Sequence, residues 1–91
     1  MEFGGIKMVN RYKTKPCVIE AIQYDGSNVE EIKKFIGKSF EVRTIEGIYV
    51  KTLEGVVRAS VGDYIIKGLI GEFYPCKPKV FKRKYEVIEN E

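Results

Sequence analysis

A chain of 91 residues with 44% hydrophobic and 32% charged side chains suffices for one folded domain and is too apolar for disorder. It has no histidine and no tryptophan, which excludes Ser-His-Asp and Cys-His nucleophiles and the common zinc sites. Sixteen Lys and Arg against thirteen Asp and Glu leave a net charge of +3, so the placement of charge matters more than its sum. No apolar run approaches the ~18–20 residues of a membrane span. Composition favours a binding role over an enzymatic one.

Residues 1–11 read as a flexible N-terminal extension, with Met8 as an alternative start, and residues 12–91 as a single domain. The start Met1-Glu2-Phe3-Gly4-Gly5 lacks the apolar core of a signal peptide. The first element is Cys17–Tyr24, rich in β-branched residues and entered through Lys15-Pro16, where proline imposes extended geometry on its predecessor. Asp25-Gly26 turns the chain. Ser27 and Glu30 have capping-box spacing, and Val29, Ile32, Phe35 and Ile36 follow at helical period, with Glu30 and Lys34 as an i,i+4 pair. Gly37 is the expected stop.

Beyond it the period falls to two. Phe40, Val42 and Thr44, then Ile48, Val50 and Thr52, then Val57 and Ala59 alternate with polar or charged neighbours. Glu46-Gly47 and Glu54-Gly55 lie between these runs as hairpin turns, which defines a β-meander. Val61-Gly62-Asp63 turns into a strand at Tyr64–Lys67, and Gly68–Gly71 turns into Glu72-Phe73-Tyr74. Pro75 interrupts pairing, Pro78 opens a short helix carrying Val80 and Phe81, and Tyr85–Ile88 closes as a last strand. No internal repeat or low-complexity linker is evident. The expected fold is α+β: an antiparallel five- to six-stranded meander or partly closed small barrel, with one early amphipathic helix and a short late helix. An open sheet edge favours self-association as a homo-oligomer.

Cys17 and Cys76 read as buried, inert thiols in a reducing compartment. Paired carboxylates are the one acid–base option: Asp63 and Glu72 flank one hairpin, yet Asp63 after Gly62 reads better as a turn residue. No phosphate-binding loop, metal cluster or cofactor motif is present. Charge is segregated instead. Ile6–Ile19 carries Lys7, Arg11, Lys13 and Lys15 without an acid, and Phe73–Tyr85 carries Lys77, Lys79, Lys82, Arg83 and Lys84 without one. Aromatics interleaved with bases in the second segment suit a ligand that joins a flat ring to phosphate. The candidate binding residues are Tyr74, Lys77, Lys79 and Arg83, with Arg58 and Tyr64 behind them.

The run Val61-Gly62-Asp63-Tyr64-Ile65-Ile66-Lys67-Gly68, then Gly71–Pro78, Phe81 and Tyr85, resembles the PGDYG-like family of small phage and prophage proteins. Tyr12–Pro16, Ile19–Tyr24 and Lys51–Gly55 are similar to that family too, so the likeness spans about Tyr12 to Tyr85. Val61 stands where the family name has proline, and Ile65 where it has glycine. The resemblance implies phage origin and a host-cytoplasm setting, and it brings no established activity. With the basic aromatic segment it leads to an expected function. This is a non-catalytic phage accessory protein that sequesters a phosphate-bearing, nucleotide-type ligand between subunits, such as a host immune signal in counter-defence. The alternatives are a nucleic-acid-binding accessory protein and a protein-binding inhibitor of a host factor.

Overall fold

The computed structural model describes residues 11–12 and 17–88. The chain runs through β1 (Glu20–Gln23), α1 (Val29–Ile36), a 3-10 turn, β2 (Phe40–Thr44), β3 (Gly47–Thr52), β4 (Gly55–Ala59), β5 (Tyr64–Lys67), β6 (Phe73–Cys76) and α2 (Pro78–Lys84). The strands form two three-stranded antiparallel sheets, ordered β1-β5-β6 and β2-β3-β4. The α+β class, both helices and the central meander match expectation. Neither a single continuous meander nor a partly closed barrel forms, because β5 pairs back to distant β1 while β4 remains an edge.

The meander is built by two equivalent turns. In Thr44-Ile45-Glu46-Gly47 and Thr52-Leu53-Glu54-Gly55, each threonine hydroxyl accepts the glutamate N–H and donates to the glycine carbonyl. Each glycine takes positive φ, +144° at Gly47 and +110° at Gly55. A Cβ at Gly47 would strike the Ala59 carbonyl, so this position admits no side chain.

One core joins the sheets. α1 turns Val29, Ile32 and Ile36 inward against Ile48, Val50 and Ala59 of one sheet and Ile65 of the other. Burying each such aliphatic contributes about 1.5–3 kcal/mol. Phe35 of α1 meets Phe73 of β6 edge to face, their centroids 5.3 Å apart. Antiparallel register places Ile22, Ile65 and Pro75 on the core face of the first sheet. It places Ala21, Ile66 and Tyr74, with Gln23, Tyr64 and Cys76, on the opposite face. Ile66 is nonetheless buried, because this second face is covered as well.

Several local expectations are corrected. β1 begins at Glu20 rather than Cys17, although Tyr24 prolongs the ladder by donating to the Asp63 carbonyl and accepting from Gly62 N–H. The capping box does not form: the Asp25 carboxylate takes the Ser27 and Asn28 N–H groups, and Asn28 is the N-cap. Asp25 competes successfully because an Asx turn needs only two residues of chain to close. Glu30 pairs with Lys33, not Lys34. Gly37 ends α1 with positive φ, its N–H donating to the Lys33 carbonyl. Residues 85–88 form no strand, since Tyr85 packs on Phe81 instead of a sheet edge. Residues 1–10 of the expected extension lie outside the described residues.

Candidate functional site

α2 gathers most of the singled-out residues around the first sheet. Pro78 supplies its first turn, where a missing N–H costs nothing. Phe81 stacks on Tyr64 with ring centroids 3.8 Å apart and planes within 4°, and Tyr85 tilts against Phe81 at 5.0 Å. These rings fasten the helix to the outer face of the sheet. Tyr64 therefore already has one ring face covered. Burial pushes the Tyr74 phenol up to about 12, and the neighbouring Tyr85 phenol adds to the shift.

Lys77 has a structural partner. The Asp63 side chain is 5% exposed, accepts from Ser60 N–H at 2.9 Å and meets the Lys77 ammonium at 3.1 Å. Turn geometry thus accounts for the buried carboxylate, as the residue order Val61-Gly62-Asp63 suggested. The acid–base alternative is corrected. Asp63 precedes the Tyr64–Cys76 end of the hairpin, while Glu72 precedes the Phe73–Lys67 end. Four strand residues, roughly 13 Å, lie between them. Glu72 instead braces its own turn, accepting Ile70 N–H on its carboxylate and Gly68 N–H on its carbonyl.

The outward side of α2 is different in kind. Helical periodicity sets Lys79 and Arg83 one turn apart, facing away from the Phe81–Tyr85 contact, with Lys82 beside them. Among the described residues, Lys79, Lys82, Arg83 and Lys84 have no carboxylate within ion-pair distance; Lys34, Lys38, Arg43 and Lys67 have none either but are scattered over four elements, while Lys33, Lys51, Arg58 and Lys77 each have one. Arg58 lies elsewhere, on β4 of the other sheet, 3.5 Å from Glu46. Of the second basic segment, Lys77 alone has a carboxylate partner among the described residues. Of the first, Lys7, Lys13 and Lys15 lie outside the described residues, and Arg11 is exposed.

Two open grooves flank this assembly. A cleft of about 600 Å³ separates Cys17–Ala21 from Lys84–Ile88, with Tyr64 and Phe81 also lining it. A groove of about 390 Å³ lies between the β3–β4 turn with Val57 and the stretch Glu72–Pro75, which includes Tyr74. The structure thus divides the six candidates: Lys79 and Arg83 face outward, Tyr64 and Tyr74 border different grooves, Lys77 serves Asp63, and Arg58 stands apart. The cysteines are not both buried. Cys17 is exposed at the mouth of the larger cleft, while half-buried Cys76 has its thiol pushed up by desolvation, against the opposing pull of Lys84.

What sequence reasoning missed is Lys84 and Tyr85 at the rim of that cleft. The signal was present: Phe81 and Tyr85 stand four apart, on and just after a short helix whose remaining positions are mostly cationic. Among the described residues no helix is long and apolar enough to cross a membrane, and no three potential ligands gather as a metal site. No family model, curated protein or solved structure compared with the chain gives a match.

Proposed function

We propose that the protein is a non-catalytic binder of a phosphate-bearing ligand of nucleotide type, held on and beside α2. The observation that carries this reading is the cluster Lys79, Lys82, Arg83 and Lys84. Four cations stand within six residues without a carboxylate partner among the described residues, next to an aromatic-lined cleft. Unpaired cations attract anions, and the Arg guanidinium matches phosphate bidentately. Phe81, Tyr64 and Tyr85 line the cleft as aromatic partners for a base, and Lys84 lines it too, a cation for the attached phosphate. Such a protein acts by holding its ligand rather than transforming it. In a phage or prophage setting, that is the action of a sponge for a nucleotide signal.

The second reading is nucleic-acid binding, favoured by one observation: Lys79 and Arg83 line neither groove, so they suit a phosphate backbone passing over the surface. Titration with mononucleotides, cyclic dinucleotides and single-stranded oligonucleotides at two salt concentrations separates the two. Saturation by one small ligand, lost in Lys79→Ala/Arg83→Ala/Lys84→Ala, supports the nucleotide reading. Affinity that rises with strand length and falls steeply with salt supports nucleic acid. Binding of none of these, or binding indifferent to the triple substitution, overturns both.

A further inference from the structure

The four sheet edges are not alike. β2 carries a bulge between Phe40 and Val42, β6 carries Pro75, and β1 is only four residues long. Each feature discourages an added strand. β4 has none of them. Gly55-Val56-Val57-Arg58-Ala59 pairs with β3 in unbroken register, contains no proline or lysine, and has no second neighbour among the described residues. Its single charge, Arg58, is drawn back toward Glu46.

The edge is also apolar and symmetric about Val57. Leu53, Val57 and Val61 are exposed at 70%, 40% and 64%, equally spaced along the chain, with small Gly55 and Ala59 between them. Reversing this segment and laying it against itself matches Leu53 with Val61, Gly55 with Ala59, and Val57 with Val57. Arg58 then falls opposite Val56, and Glu54 opposite Ser60, so no like charges meet. That self-complementarity is what a twofold interface requires.

We infer that β4 pairs antiparallel with β4 of a second copy, centred on Val57, to make one six-stranded sheet across a dimer. The unsatisfied ladder groups of the edge supply the hydrogen bonds, and the aliphatic row supplies the apolar contact. This interface lies on the other sheet from α2, so it stands or falls independently of anion binding.

Sedimentation of the wild-type chain is expected to show a dimer. Val57→Glu sets two carboxylates at the dyad and is expected to abolish it with the circular dichroism spectrum unchanged, since Val57 is partly exposed. Val56→Glu places a carboxylate opposite the partner copy's guanidinium twice by symmetry, and is expected to tighten the dimer roughly two- to thirtyfold. In a Cys17→Ser background, Val57→Cys is expected to form a 57–57 disulfide on mild oxidation. Opposed residues of antiparallel strands stand about 4.5–5.5 Å apart at Cα, within disulfide range. The cross-link decides the matter even if Val57→Glu fails to fold. A monomeric wild type, a dimer indifferent to Val57→Glu, or Val57→Cys without a 57–57 link each overturns the inference.

Discussion

The two sheets hold the same number of strands and are assembled by different means. β2, β3 and β4 follow one another, joined by two copies of one four-residue turn, so every pairing is local. β1 and β5 are separated by forty residues of intervening fold, from Gln23 to Tyr64, and meet through the Tyr24–Asp63 and Gly62–Tyr24 hydrogen bonds that prolong their ladder. The local sheet leaves its outer face open, carrying Tyr49, Lys51, Val56 and Arg58. The non-local sheet is covered on both sides, by the shared core and by α2. Local turns suffice to shape a sheet. The sheet assembled from distant segments is here packed on both faces, and the helix that covers it carries the cations without carboxylate partners among the described residues.

The sharpest test of this contrast lies in the core. Ile48 and Ile65 are both fully buried, one in each sheet. If the sheets share one cooperative core, Ile48→Ala and Ile65→Ala should each lower stability by about 2–5 kcal/mol in a single denaturant transition. A biphasic transition in either variant would show that the local sheet melts separately.

The junction between the sheets is the next target. Asp63→Ala removes the acceptor of Ser60 N–H and the partner of Lys77, and should cost about 1–3 kcal/mol by chemical denaturation. Lys77→Met removes only an exposed ammonium, and should cost less than about 1 kcal/mol. Equal losses in the two variants would mean that the ion pair, rather than the turn hydrogen bond, secures this junction.

A smaller effect separates the covered face from the open one. The fold favours the neutral Tyr74 phenol, whose value of about 12 exceeds the ordinary 10. Stability owed to it is therefore complete below pH 10 and is lost as the pH rises toward 12. Tyr74→Phe should flatten the alkaline fall in melting temperature while leaving neutral stability little changed. Absorbance titration should show one fewer late-ionising tyrosine.

Legibility in the sequence follows the same division. The period-two runs, the glycine turns and the α1 stripe Val29, Ile32 and Ile36 were readable because local geometry decides them. The repeated Thr-x-Glu-Gly turn was present in the letters too, but its meaning lies in threonine hydrogen bonds that composition does not display. The pairing of β1 with β5 was not readable, since nothing within either segment names its distant partner. Among the candidate residues, the basic character of Lys79 and Arg83 was legible. The engagement of Lys77 with Asp63 and of Tyr64 with Phe81 was not, because each depends on how α2 folds back over β5.

The duplicated turn has an architectural consequence. Thr52 follows Thr44 by eight positions, one strand and one reversal, so the local sheet is assembled from an interchangeable module. Splicing in a single further module would widen the sheet but send everything downstream in the opposite direction, detaching β5 from β1. Splicing in two restores the heading of the chain. Growth of this fold by duplication is therefore constrained by parity: an even number of modules preserves the junction at Asp63, and an odd number destroys it.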